Sequence, residues 1–190
     1  MSATPQPLTP MTVGDYLEWE PRQERRYEYL HGQVVAMTGG TLPHNDLAIN
    51  LLTVLRPLVR AQGCRINIAD AKVKVTPSIY RYPDLVVSCD ARDKAALNAI
   101  QFPTLIVEVL SPATESIDRS DKFREYRTIP SLQEYVLISS TQVAVELYRR
   151  GEGRMWLYYP YQEGDLIRLE SLGLDCPIDQ IYDDVWLGSA

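Results

Sequence analysis

No run of about 18 consecutive apolar residues occurs in this 190-residue chain, so no membrane-spanning helix is expected. The opening residues, MSATPQPLTPMT, lack a basic start and an apolar segment, which argues against a secretory signal. Cysteine is scarce. Cys64, Cys89 and Cys176 are widely spaced with no CxxC pairing, and they read as reduced thiols of a cytoplasmic protein. The two histidines, His31 and His44, cannot by themselves build a zinc site. GxxxxGK[ST], GxSxG and HExxH are all missing, so no competing catalytic motif is present. An excess of positive charge is also lacking. The net charge is −6, which argues at first against a nucleic-acid binder. Residues 151–190 carry eight acids and two bases, so that segment accounts for the whole deficit and the first 150 residues balance. Small basic clusters lie among them, including Arg56/Arg60/Arg65 and Arg119/Lys122/Arg124/Arg127. These can steer a polyanion weakly, or serve only as solvated faces.

What is present suits one domain with a sizeable core, since 45% of the residues are hydrophobic. Residues 1–11, with three prolines and no periodicity, read as a flexible leader, and 12–190 as a single domain. Thr12 can cap a short helix that stops before Pro21. RRYEYLHGQVVAMTGG reads as a hairpin turning at His31-Gly32. Apolar residues at 47, 51, 54, 55, 58 and 59 have helical period, Gly63 follows as a stop, and Pro57 predicts a kink. CRINIADAKVKV, YRYPDLVVS and PTLIVEVLS read as strands, with ARDKAALNAI as a helix between the last two. Residues 116–128 form a charged amphipathic helix closed by Pro130. EYVLIS is a further strand, and VAVELYRR, RMWLYYP and DLIRLES read as an antiparallel meander. This order predicts an α/β or α+β fold: a mixed β-sheet flanked by helices, with additional antiparallel strands.

Two acids carry most of the chemistry. Glu108 lies inside Leu105-Ile106-Val107-Glu108-Val109-Leu110, and Asp84 directly precedes Leu85-Val86-Val87. Burying an isolated carboxylate costs several kcal/mol, so it must be paired, neutral or bound to a cation. Strand alternation puts Glu108 on the face of Ile106 and Leu110. A structural salt bridge, or an acid facing water at a strand end, would explain either residue alone. On neighbouring strands the two would make a hard-oxygen site of the kind Mg²⁺ prefers. Without a cation, one of two adjacent carboxylates would have its pKa pushed up. Lys122, on the helix after the Glu108 strand, can position water or stabilise charge, or be merely solvated; Arg119 and Tyr126 are expected on its face. Glu28, between two tyrosines in the first hairpin arm, is a third acid for the site or an exposed strand residue. His44 opens the long helix and reads as its cap before it reads as a ligand.

The segments YEYLHGQVVAM, YPDLVV, LIVEVLSPATESIDRSDKFREYR and IPSLQEYVLI resemble the Uma-two family of restriction-endonuclease-like proteins, within the PD-(D/E)XK nuclease superfamily. The similarity covers about residues 12 to 170 and is most distinctive over 105–138. It implies a restriction-endonuclease-like core and Mg²⁺-dependent phosphodiester hydrolysis, in DNA, with Mn²⁺ as a substitute. Asp84 matches the motif aspartate and Glu108 the motif acid; the metal would be held by both, helped by a backbone carbonyl near Val109. The superfamily places a lysine two residues after that acid. Leu110 stands there, and the resemblance makes Lys122 the lysine's match on the following helix. Glu28 matches an acid found near the N-terminal side of such sites. A homodimer is plausible by analogy with nucleases that cut two strands symmetrically. The alternative is a nuclease fold that no longer cleaves and serves as a binding or regulatory module.

Overall fold

The computed structural model describes residues 10–187. Most of the leader expected over 1–11 lies outside the described residues; Met11 is tied down, its N–H donating to the Gly32 carbonyl at 2.8 Å. Thr12 and Asp15 form a reciprocal capping box that starts α1 (Val13–Trp19), and Tyr16 buries its inner face. The helix stops before Pro21, as expected, and Pro21 sits inside a 3₁₀ turn that follows, Glu20–Arg22. The hairpin β1 (Tyr27–Leu30) and β2 (Gln33–Ala36) turns at His31 and Gly32, whose φ values of 51° and 93° match the positive-φ pair of a tight two-residue loop. Thr41 caps α2 (Leu42–Ala61), which runs unbroken through Pro57. Leu47, Leu51, Leu55 and Val59 bury its inner stripe, each worth about 1.5–3 kcal/mol of transfer free energy.

The strands β3 (Arg65–Ile68), β4 (Val73–Thr76), β5 (Ile79–Arg81) and β6 (Leu85–Ser88) follow. The single strand expected over YRYPDLVVS is therefore two. Pro83 has no N–H for a ladder, and the chain changes sheets at Tyr82–Asp84. The expected helix over 91–100 is only α3 (Ala91–Lys94); Ile100 instead exchanges backbone hydrogen bonds with Lys72 and Lys74. After β7 (Leu105–Leu110) come α4 (Glu115–Ile117), a wide π turn (Asp118–Lys122) and α5 (Phe123–Tyr126) in unbroken succession. The chain ends with β8 (Glu134–Ser139), β9 (Ala144–Arg150), β10 (Trp156–Gln162), β11 (Leu166–Leu169), β12 (Leu174–Pro177) and α6 (Ile178–Ile181).

The central sheet has six strands in the order β10-β9-β8-β7-β6-β3. Only β7 and β8 pair in parallel, a connection that needs a crossover, here supplied by α4 to α5. A second sheet, β2-β1-β5-β4, is antiparallel. The expected meander stops after two arms, because β11 pairs with β12 in a separate ribbon. One face of the central sheet packs on α2 through Leu85, Val107, Val109 and Val136. The other, bearing Val86, Ile106 and Leu137, packs on Tyr126 and Ile129. Every residue of β7 and of β8 is buried.

The expectation of three reduced thiols is corrected. Cys64 and Cys89 form a disulfide, and Cys176 is free and buried. Arg65 pairs with Ser88 in the β3–β6 ladder, so continuing that register by one residue sets Cys64 opposite Cys89, with Cα atoms 4.2 Å apart. A sequence separation of 25 conceals this, since only strand pairing makes the two neighbours. Burial lifts the Cys176 thiol to about 11, so it reacts slowly. Thiol titration of the oxidised, folded protein should therefore find almost nothing reactive, rising to one thiol on unfolding and to three after reduction. Closing a loop of this size is worth ~3 kcal/mol in the chain-entropy account. Reduction should lower the melting temperature by roughly 6–12 °C; an unchanged melting curve would show that the bridge does not stabilise the fold.

Candidate active site

The site is built where β6 begins and β7 ends. In the antiparallel β6–β7 ladder Leu85 pairs with Val107, so the register sets Asp84 across from Glu108, and directly opposed residues project from the same face. Asp84 Oδ2 accepts the Val109 N–H at 2.7 Å, which joins the two strands past their last paired residue. Its other oxygen, Oδ1, lies 2.9 Å from His44 Nε2. His44 comes from the first turn of α2, and Gly40 makes room for its ring: a Cβ there would stand 2.8 Å from His44 Cδ2.

Glu108 is 2% exposed in the middle of the sheet. Tyr126 donates its hydroxyl to Oε1 at 3.0 Å, and Lys122 Nζ lies 2.9 Å from Oε2. The same ammonium stands 2.8 Å from Asp118 Oδ1. Asp118 Oδ1 is nonetheless without a hydrogen-bond partner, so that contact is ionic and poorly directed. Burial lifts the Glu108 carboxyl to about 8; Lys122 pulls it down, while Asp84 and Asp118 push it further up. Burial works against the Lys122 charge too, but Glu108 and Asp118 outweigh it and hold the ammonium above its ordinary range. Lys122 therefore stays cationic, and the buried acid is the softer partner.

Asp84, Glu108, Lys122 and the Val109 backbone thus come together, as do three groups the sequence reading did not assign: His44, Asp118 and Tyr126. Asp118 and Lys122 stand four residues apart, a spacing at which helical ion pairs form but which is too common to single out Asp118. Arg119 was expected on the Lys122 face. The five-residue turn shifts the helical phase, and Arg119 instead reaches Glu146 of β9 at 2.7 Å. The Glu28 carboxylate takes the Arg81 guanidinium at 2.6 Å and the Tyr82 N–H at 3.3 Å. Its charge still acts on Lys122. A hollow of about 200 Å³ beside β3 lies apart from this constellation. There Lys72 is already paired with Glu20, and Arg65 donates to the carbonyls of Asp93 and Ala96.

The donor set suits one kind of cation. Among the described residues no group of three or more His, Cys, Asp or Glu side chains is arranged as a metal cage. Mg²⁺ needs no cage: it takes one or two carboxylates and keeps several waters, or accepts substrate phosphates. Three acids, Asp84, Glu108 and Asp118, face one ammonium and one imidazole, and the side chain of Asp84 remains 22% open to solvent. Hard oxygens and an open edge fit Mg²⁺.

The His44–Asp84 contact makes a pH-dependent prediction for the metal-free protein. Burial alone would lower the His44 pKa, but the Asp84 hydrogen bond and charge outweigh it and raise the value. The pair therefore stabilises the fold fully below the ordinary histidine pKa of about 6.5, and this contribution is lost as pH rises through the folded value. In an NMR titration with chelator, His44 should titrate above that ordinary value, and Asp84→Asn should move it down. A His44 pKa indifferent to Asp84→Asn would show that the contact carries no charge interaction.

Comparison with known proteins identifies the family and the fold. The family model described as "Putative restriction endonuclease" (Uma2) matches residues 13–179. The Synechocystis uncharacterized protein slr1290 is 40% identical over 177 residues, covering 93% of each chain. A second Synechocystis protein, sll1609, is 33% identical over 151 residues, 77% of this chain and 85% of that one. A crystal structure described as a "putative nuclease belonging to DUF820" from Anabaena variabilis superposes with a TM-score of 0.74 at 17% identity, covering 91% of this chain and 98% of that chain, which establishes the shared fold. A family-model match over residues 13–179, with a relative 40% identical over 93% of each chain, means that the protein belongs to the Uma2 family.

Proposed function

We propose that this chain is a Mg²⁺-dependent nuclease that hydrolyses phosphodiester bonds, with DNA as its substrate and Mn²⁺ as a substitute ion. One observation carries the reading: Asp84 and Glu108 oppose each other across β6 and β7, with the Lys122 ammonium seated on Glu108. Asp84, Glu108 and the Val109 carbonyl would hold the cation. When bound, it supplies neutralisation of the phosphate charge and activation of a water for attack. Lys122 would help orient the attacking water and stabilise the charge developing on the phosphate, which preorganised cations do best where water is excluded. His44 holds one Asp84 oxygen and the Val109 N–H holds the other, which fixes the orientation of the carboxylate. Tyr126 does the same for Glu108. Glu28 would act through the residues that support Lys122, not on the metal itself.

The other reading, a non-cleaving module that binds nucleic acid, draws on Lys122. Its ammonium is already shared between Glu108 and Asp118. The two readings part in one assay on mixed single- and double-stranded DNA and RNA, with Mg²⁺, Mn²⁺ or chelator. Cleavage should require the ion. Asp84→Ala and Glu108→Ala should abolish cleavage and weaken Mg²⁺ or Mn²⁺ binding, measured by calorimetry. Lys122→Ala should spare binding of the ion but slow cleavage by about 100-fold or more, the scale for one electrostatic stabiliser. Binding without cleavage by the wild-type protein would replace this proposal with the module; metal binding unchanged in Glu108→Ala would remove the site.

A further inference from the structure

The nuclease reading above leaves one mechanical question: how a lysine borne on a helix is held against an acid on a strand. A lysine at position 110 would ride on β7 itself, two residues from Glu108 and fixed by the same ladder. Leu110 occupies that position and is packed in the core. Lys122 stands on a segment outside the sheet, made of three short helical pieces. One polar anchor of that segment is Arg81. Its Nε and Nη2 donate to the two oxygens of Glu125, at 2.8 and 2.9 Å, in the two-pronged geometry that gives arginine its directional hold. Its third nitrogen, Nη1, donates to Glu28 at 2.6 Å. The Arg81 side chain is 5% exposed, so these contacts face little competition from water.

The position of Arg81 in the chain matters as much as its bonds. It ends β5, and only Tyr82 and Pro83 separate it from Asp84. Glu28 also accepts the Tyr82 N–H, which ties that short link to β1. At the other end of the clasp, Glu125 lies three residues after Lys122 and next to Tyr126, whose hydroxyl reaches Glu108. Arg81 occupies both Glu125 oxygens.

We infer that Arg81, braced by Glu28, is a positioning residue: by clasping Glu125 it locks the Lys122 helix to the segment bearing Asp84 and keeps the ammonium on Glu108. Glu28, singled out in the sequence as a site acid, takes its place in the assembly at this second remove. This inference rests on the nuclease reading for its kinetic consequence, but not for its structural one.

Two conservative variants test it, each first checked for an unchanged circular dichroism spectrum and a cooperative melt. Glu125→Gln keeps the shape of the clasp and removes its charge; Arg81→Lys keeps the charge and removes the fork. Each should lower kcat for DNA cleavage by about 10- to 100-fold, the usual cost of losing a supporting partner, while the Mg²⁺ concentration for half-activation stays put. A residue needed only for folding would not separate these two quantities. Reaction with acetic anhydride, read by peptide mass spectrometry, gives a second measure that needs no activity. Lys122 should be protected in the wild type and become labelled several-fold faster in both variants. Unchanged kcat, a shifted Mg²⁺ midpoint at constant kcat, or unchanged labelling would each overturn the inference. If the wild-type protein fails to cleave, the nuclease reading falls, and the labelling alone decides the role of Arg81.

Discussion

A carboxylate held at 2% exposure inside a six-stranded sheet imposes a debt of solvation that its neighbours must meet. Glu108 is that carboxylate, and much of the surrounding structure answers to it. Tyr126 donates to one oxygen and Lys122 lies against the other. Lys122 is itself buried, so it draws in Asp118. The resulting knot contains more acid than base once Asp84 is included. This is why burial and neighbouring acids raise Glu108 to about 8 even with an ammonium beside it.

Topology makes the knot possible. Antiparallel pairing of β6 with β7 brings the beginning of one strand to the end of the other, and so Asp84 to Glu108. Parallel pairing of β7 with β8 forces the chain to cross back over the sheet, and the crossing segment is the one that bears Lys122. The first turn of α2, from the opposite face, completes the edge with His44. The first turn of α2, the head of β6, and β7 with the helical segment that follows it thus meet at one end of the sheet, where Asp84 keeps access to solvent.

Much of this was legible in the chain. Periodicity marks α2, continuous apolar runs mark β7 and β8, and the His31-Gly32 turn is visible because few residues accept positive φ. Asp84, Glu108 and Lys122 were legible as chemical anomalies, acids in apolar strands followed by a cation-rich helix. Asp118 was not, because i,i+4 spacing with Lys122 is common on exposed helices and burial alone distinguishes this case. Tyr126 and His44 were visible as residues but not as partners. Arg81 carried no signal, since an arginine at a strand end ordinarily meets water. The split of YRYPDLVVS into two strands of different sheets and the pairing of β11 with β12 depend on long-range choices that local pattern does not encode.

The amino-acid order dictates which groups must be compensated: an acid inside one apolar strand and another at the head of the next must be paired, neutral or bound to a cation wherever the chain folds. It also determined the kind of fold, through element order and apolar patterning. Tertiary structure alone decided which cation answers Glu108, which acids stand behind Lys122, and that Glu28 serves Arg81. It decided as well that Cys64 meets Cys89. The reason is the same in each case. Desolvation is a property of the residue and its immediate neighbours in the chain, whereas pairing depends on strand register and helix phase, and these are settled only when the sheet closes.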